Sequence, residues 1–417
     1  MNSVLVIGSG GREHAIVRCL LSSDKVDKAY CLPGNAGIAQ IAETAPIGVM
    51  EFDKIVDFVK AHEDISLVVV APDDPLAAGL VDVLEDNGIR AFGPRANAAI
   101  IEGSKAFSKD LMKKYGIPTA GYEVFTDYDK AIEYVKGIEY PAVVKASGLA
   151  LGKGVIICQN KEEAIEALDG IMLDKRFGTA GNTVVVEEFL VGKEVSILTF
   201  TDGNVVVPMV SSQDHKRAYD GDKGLNTGGM GAFAPSQAYT REIAKEVYDN
   251  ILIPTINAMN SEGRVFKGVL YFGLMMTKSG VKVLEYNARF GDPETQAVLP
   301  LLESDLYDIM NAIIDGKLSE IEVKFMDKSA VCVVMASGGY PEAYEKGKKI
   351  TIGDTGEAYV YHAGTAMKDG LVTNGGRVLG ITAIGKDIEE ARVKAYYAVD
   401  NIHFDGAHAR RDIGKNL

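Results

Sequence analysis

Apolar positions along this chain change their spacing several times, and each change marks an element. The run Ser3–Ile7 leads into a glycine-rich turn, Gly8–Gly11, and then into HAIVRCLL (His14–Leu21), whose apolar residues recur at helical spacing. A second buried run, SLVVVAP (Ser66–Pro72), and the short IRAFGP (Ile89–Pro94) continue the alternation. Strands alternating with helices predict a parallel sheet covered on both faces, here over residues 1–103.

From Ser104 the spacing differs. Lys105–Tyr115 is amphipathic and stops at Gly116-Ile117-Pro118. Thr126 and Asp129 stand at capping-box spacing around the start of a helix Tyr128–Lys136, and Asn160 is placed to cap the helix KEEAIEAL. Tyr140–Lys145, Thr183–Glu188, Lys193–Thr201, Val205–Val210, Gly268–Met276 and Val281–Tyr286 read as strands. Arg241–Met259 reads as one helix, and 211–236 as a long polar loop. The mixture predicts an α+β domain over 104–326. A smaller α+β unit, 327–417, holds VCVVMASGGYP, NGGRVLGITAIG and a helix Ile388–Ile402.

Length and composition narrow the picture. The 417 residues suit about three domains at ~150 residues each. Lys and Arg number 44 against 58 Asp and Glu, a net charge of −14, so no basic excess exists to displace counterions from a nucleic acid. No uncharged apolar run approaches the ~18 residues a membrane span needs. The opening MNSVLVIGSGGREH has neither a basic stretch nor a cleavage pattern, and so predicts no signal peptide. Cys19, Cys31, Cys158 and Cys332 are scattered, which predicts reduced core thiols in a cytoplasmic protein. Glycine is the departure. Its 45 residues are roughly 11% of the chain against an average of ~7%, and they cluster beside apolar strands, where backbone can approach a phosphate.

Four segments can carry chemistry. In GSGGREH (Gly8–His14) a strand, a tight turn and a helix N-terminus offer backbone N–H groups to an anion. The dinucleotide fingerprint wants a glycine where Glu13 stands, so the phosphate of a smaller molecule, or a turn with no ligand, fits better. In KASGLALGKG (Lys145–Gly154) two lysines flank a glycine loop that can fold over a triphosphate, although it is not a Walker A loop; an exposed basic hairpin is the alternative. VVVEEFL (Val184–Leu190) is an extended segment with the apolar walls an adenine needs, though acidic strand ends are common. The densest segment is LEYNARFGDPET (Leu284–Thr295). Glu285 and Asn287, two apart on a strand, leave by one face, and a carboxylate beside an amide oxygen suits Mg²⁺ completed by phosphate oxygens. Arg289 follows with a fork for a carboxylate or phosphate; a surface ion-pair cluster is the bland alternative. No His pair has metal spacing, and His215 is a lone loop histidine.

The loop QDHKRAYDGDKGLNTGGMGA (Gln213–Ala232) and the run EYNARFGDPETQ (Glu285–Gln296) resemble the glycinamide ribonucleotide synthetase family of the ATP-grasp superfamily, and the likeness extends from GSGGREHA to NGGRVL. Two positions depart from the family pattern: Asp73 in APDDPL replaces a Glu, and Ser147 in KASGLALGKGV replaces an Asp. The resemblance implies an α/β and α+β multidomain fold. Its parts are a Rossmann-like N-terminal domain (1–103), an ATP-grasp domain of two subdomains (104–326, the lid at about 121–190) and a small C-terminal α+β domain (327–417). It implies that ATP, glycine and 5-phosphoribosylamine give ADP, phosphate and glycinamide ribonucleotide, through a glycyl phosphate, in de novo purine synthesis. The metal would be Mg²⁺ or Mn²⁺. On the matching positions it implies Glu285 and Asn287 for the metal, and Lys105, Lys145, Gly152, Lys153 and Gly154 for the phosphates. Glu187, Phe189 and Leu190 would frame the adenine and Glu194 the ribose. Arg289, catalytic together with Lys145, would meet the glycine carboxylate or the transferring phosphoryl group. Gly10, Gly11, Arg12 and Asn35 would hold the sugar phosphate, with Asp73, Asp214, Lys216 and Gly229 also on the substrate side. The glycine loops 148–154 and 221–231 read as lids that keep water from an acyl phosphate. The absence of a long apolar heptad favours a monomer. Another ATP-grasp carboxylate–amine ligase, a nucleotide-binding regulatory module and a Rossmann dehydrogenase are the competing readings.

Overall fold

The computed structural model describes residues 2–150 and 154–415. Its first sheet has the spatial order 43–44, 28–33, 3–8, 65–70, 91–92, and every pairing is parallel. Alternate residues of the central strand leave by opposite faces. Leu5 and Ile7 join one apolar cluster, Val4 and Val6 another, and all four are fully buried. The strand order reverses beside Ser3–Gly8, and sheets of this kind bind ligands at that reversal, beyond the carboxyl ends of the strands. Ser9–Gly11 and Asp73 lie beyond those ends.

The predicted α+β region contains two antiparallel sheets. Tyr122–Phe125, Val184–Glu188, Ala142–Ala146 and Val155–Cys158 form one, which shares its own core with the helices Tyr128–Val135 and Lys161–Leu168. Val206–Pro208, Lys193–Thr201, Gly268–Thr277 and Gly280–Asn287 form the other, whose apolar residues merge with both clusters of the first sheet. In its last strand Gly273 faces Glu285 but Leu274 faces Val283, so Leu284 is an extra residue. A bulge bends a strand and re-aims its side chains, and this one lies next to Glu285.

Helix Lys105–Tyr115 begins and ends where its pattern predicts: Ser104 Oγ accepts from Phe107 N–H, and Gly116 follows the last turn. The next cap is shifted by one residue. Asp127, not Thr126, accepts from Lys130 N–H, as an anion at a helix N-terminus does well. The expected single helix Arg241–Met259 is interrupted. Arg241–Val247 and Ile253–Ser261 are joined by a wider turn, Tyr248–Leu252, which places Pro254 in a first turn, where its missing N–H costs nothing.

The largest departure is 211–236, which is not one loop. It gives the strands Gln213–Asp214 and Gly231–Ala234 to the C-terminal sheet, with a hairpin, Arg217–Tyr219 and Lys223–Asn226, between them. That sheet runs 213–214, 231–234, 329–336, 377–385, 359–362, all antiparallel, and packs against the helix Ile388–Asp400. All four cysteines are free thiols. No helix among the described residues is long and apolar enough to cross a membrane.

Candidate functional site

Glu285 and Asn287 end the strand Gly280–Asn287, and Arg289 follows two residues on. Gly273 leaves room for the glutamate: a Cβ there would lie 3.1 Å from Glu285 Cγ. Burial raises the Glu285 pKa, but Lys216, Lys145, Lys105 and Arg289 outweigh it and hold the carboxyl below its ordinary range. Lys216 Nζ sits 3.6 Å from Glu285 and 3.4 Å from Glu194, so one ammonium links the positions expected at metal and ribose. Asp214 completes this side. Burial, only partly relieved by Lys216 and reinforced by Glu294, Glu194 and Glu285, pushes its pKa up to about 8. A carboxylate kept ionised, with an amide oxygen on the same strand end, is the hard donor pair that fits Mg²⁺ when phosphate oxygens supply the remaining ligands.

Arg289 is held from two directions. One guanidinium nitrogen lies 2.9 Å from Glu102 and 3.8 Å from Asp73, and donates to Asn287 Oδ1 at 3.4 Å. Its Nε is buried and has no partner among the described residues. An orphaned buried donor points to a group that the described residues do not supply. Glu102, on the helix Ala96–Gly103, also accepts from Ala288 N–H at 2.7 Å, bracing the residue before the arginine. Sequence reasoning missed Glu102, whose only signal was an acid at the end of an apolar helix. Asp73, one methylene shorter than the Glu of the family pattern, reaches Arg289 only at 3.8 Å.

On the other side, lysines dominate. Lys145, on Ala142–Ala146, and Lys109, on the helix Lys105–Tyr115, each pair with one oxygen of Glu187, at 2.8 and 2.9 Å. All three residues are buried. Lys145 also donates to Leu284 O at 3.4 Å, the residue before Glu285. Lys105 donates to Gly148 O at 3.2 Å, and burial lowers its pKa against the pull of Glu285. Lys109 went unnoticed in the sequence, although it stands four residues after Lys105 on one helix face. Glu187, expected at the adenine, has both oxygens in ion pairs. Phe189 is exposed and Leu190 half-buried in the turn that follows. Ser147 Oγ accepts from Ala106 N–H at 3.0 Å, docking its strand on the N-terminus of the Lys105–Tyr115 helix; a serine serves there as an Asp would, without the charge. Gly154 O accepts from Ala146 N–H at 2.9 Å, while Gly152 and Lys153 lie outside the described residues.

The first glycine turn is more occupied than a bare anion site. Glu13 folds back so that Gly10 N–H donates to it at 2.6 Å, and Arg12 N–H donates to Asp292 at 3.3 Å. Protein carboxylates therefore supply the negative charge that a dinucleotide would bring. Gly11 packs so closely that a Cβ would lie 2.7 Å from Gln296 Nε2, and the Arg12 side chain donates to Phe290 O. The two motifs thus form one wall, although 280 residues separate Arg12 from Asp292. The Asn35 side chain, expected at the sugar phosphate, is engaged within the fold: its amide donates to Ser9 O and His362 O, and its oxygen accepts from Gly37 and Ile38.

The run 221–231, expected to be a lid, is braced by hydrogen bonds at several points. Gly221 N–H donates to Asp412, Arg410 to Asp222, Gly228 N–H to Tyr340 Oη, and Arg377 to Gly228 O and Asp292 O. Gly229 has φ 114° and lies against Pro293, where a Cβ would come within 2.4 Å of Cδ. Arg377 and Arg410 were not predicted, though NGGR was a visible motif. His215 packs against Phe233, and burial lowers its pKa to about 4.

Three domain models of one family match the chain. They are the phosphoribosylglycinamide synthetase N domain over 2–102, the ATP-grasp (A) domain over 103–295 and the C domain over 330–416. The chain belongs to the phosphoribosylglycinamide synthetase family. A phosphoribosylamine–glycine ligase of Caldanaerobacter subterraneus subsp. tengcongensis is 50% identical over 412 residues, covering 98% of this chain and 99% of that protein. The crystal structure of phosphoribosylamine–glycine ligase from Thermotoga maritima is similar with a TM-score of 0.87 at 37% identity, over 99% of this chain and 100% of that one. The biotin carboxylase domain of Hydrogenobacter thermophilus 2-oxoglutarate carboxylase, in complex with MgADP, ADP and bicarbonate, has a TM-score of 0.75 at 17% identity, over 98% and 91%. That last likeness is one of fold. Membership of this family, over three consecutive domains, replaces the dehydrogenase reading.

Proposed function

We propose that this chain joins glycine to 5-phosphoribosylamine with ATP, giving glycinamide ribonucleotide, ADP and phosphate. The observation that carries the reading is the junction at Leu284. Lys145 reaches its carbonyl while the next residue, Glu285, is held ionised, so a cation suited to phosphate meets an anion suited to a metal. The likeness to proteins named phosphoribosylamine–glycine ligase supports glycine and the sugar amine as the substrates.

In this reading the domains divide at 103/104 and 326/327. Lys105, Lys145 and Gly154 hold the ATP phosphates, Phe189 and Leu190 flank the adenine, and Glu194 meets the ribose. Glu285 and Asn287 hold Mg²⁺, or Mn²⁺, which when bound neutralises phosphate charge. Arg289 takes the glycine carboxylate on its unpartnered Nε and holds it in line with the γ-phosphate. A carboxylate oxygen of glycine attacks the γ-phosphorus, ADP leaves, and glycyl phosphate forms. The sugar amine then attacks the carbonyl carbon, loses a proton, and phosphate leaves with the bonding electrons. Neither step uses a protein nucleophile, so positioning and charge carry the barrier. Gly10, Gly11, Arg12, Asp73, Asp214, Lys216 and Gly229 line the sugar side. The chain acts as a monomer in the cytoplasm.

The test follows ADP release from ATP and Mg²⁺ while glycine and phosphoribosylamine, formed from ribose 5-phosphate and ammonia, are left out in turn. ADP that appears only with both present supports the reading. Equal ADP without one of them shows that another acid–amine pair is the substrate.

A further inference from the structure

We propose that Lys109 is a positioning residue for the nucleotide: by occupying one oxygen of Glu187, it leaves the charge of Lys145 uncancelled toward a polyphosphate. The proposal rests on the ligase reading only in taking Lys105 and Lys145 as the phosphate-holding residues.

The geometry is a buried row of charges. Glu187 Oε2 lies 2.9 Å from Lys109 Nζ, and Oε1 lies 2.8 Å from Lys145 Nζ. The side chains of Lys109 and Glu187 are 2% exposed and that of Lys145 is 9% exposed. Lys109 also donates to Thr119 Oγ1 at 2.8 Å, and Thr119 in turn donates to Val283 O at 2.7 Å. Val283 adjoins Leu284, whose carbonyl Lys145 touches. The row therefore connects the helix Lys105–Tyr115, the sheet of Ala142–Ala146 and the strand Gly280–Asn287.

A carboxylate paired with one lysine at such depth would cancel its charge. Two lysines on one carboxylate leave a single positive charge over, and Lys105 adds a second. An excess of this kind is balanced when a polyanion lands on it. The other groups facing Lys109 are the Tyr122 ring, 5.8 Å away, and Glu188, itself paired with Lys282. Burial, aided by Lys145 and opposed by Glu187 and Glu188, brings the Lys109 pKa down to about 8. Once Lys109 loses its proton, Glu187 is left to Lys145 alone.

The experiment is the dissociation constant of MgATP, measured calorimetrically on the full chain without glycine or sugar, from about pH 7 to about pH 9.5. The wild-type constant is expected to rise through the Lys109 titration by about tenfold. Lys109→Met is expected to bind weakly at every pH, with the wild type converging on it at the alkaline end. Lys109→Arg, which keeps its proton throughout, is expected to bind tightly with a smaller alkaline loss than the wild type, the remainder coming from Asp214. A wild-type constant that stays level across the range overturns the proposal, and so does a Lys109→Arg protein whose alkaline loss equals that of the wild type, since Asp214, pushed up to about 8, titrates alike in both. A level wild-type titration overturns the proposal even where a variant fails to fold. A wild type that binds no MgATP at any pH instead removes the ligase reading, so the two failures are distinct.

Discussion

Around the end of the strand Gly280–Asn287, three lysines, Lys105, Lys109 and Lys145, gather about Glu187. On the other side six carboxyl groups, Asp73, Glu102, Glu194, Asp214, Glu285 and Glu294, gather about Lys216 and Arg289. One side has cations in surplus and the other anions, within a chain of net charge −14. An acidic protein repels ATP at a distance, so a local reversal of sign is what the proposed reaction requires. The surplus also sets protonation. Burial, with carboxyl neighbours adding to it, pushes Asp214 up to about 8, whereas Glu285, at the border of the two sides, has Lys216, Lys145 and Lys105 within reach and stays below its ordinary value. Asp214 and Glu285, on strands of different sheets, are thus separated by how far nearby cations offset their burial.

The comparison can be broken most severely at Arg289. Arg289→Met leaves Glu102 and Asp73 without their cation, at a cost of about 3–5 kcal/mol in stability by chemical denaturation. The same change is expected to lower kcat/KM by about 10²–10³-fold. Unchanged stability would mean that Glu102, whose pKa burial already raises, is protonated and needs no partner.

A smaller effect is expected from Asn287→Ala. The Mg²⁺ concentration for half-maximal activity should rise by about 10–100-fold, with activity restored by excess metal. An unaltered Mg²⁺ dependence would assign the metal to other oxygens.

The smallest effect sharpens the acidic side. Folded, Asp214 keeps its proton up to about pH 8; unfolded, only up to about 4. Its contribution to stability is therefore complete below about pH 4 and is lost as pH rises through about 8. Asp214→Asn holds the neutral form at every pH. Its melting temperature should match the wild type near pH 4 and exceed it by about a few degrees near pH 9. A lower melting temperature for the variant at alkaline pH would show that Asp214 is ionised and well paired.

What the sequence disclosed follows the range of the interactions. The strand Lys193–Thr201 and the helix Lys105–Tyr115 were legible because alternation, caps and stop signals are local. The strands 213–214 and 231–234 were not, because 213–214 pairs with 231–234 across a polar, glycine-rich segment, and 231–234 pairs in turn with 329–336, about a hundred residues on. In the site, Glu285, Asn287 and Arg289 could be read together because a two-residue spacing sets their common face. Glu102, Lys109, Arg377 and Arg410 could not, since distant partners give them their place; Arg410 and Asp222 are 188 residues apart.

The two-sided cleft is tested most directly by titrating ADP, without divalent metal, into Lys145→Met and into Glu285→Gln. Lys145→Met is expected to lose about tenfold or more in affinity, having lost a phosphate-facing cation. Glu285→Gln is expected to bind ADP at least as tightly as the wild type, because an anion beside the phosphates has been removed. Losses of similar size in both variants would contradict a division of the cleft into a nucleotide side and a metal side.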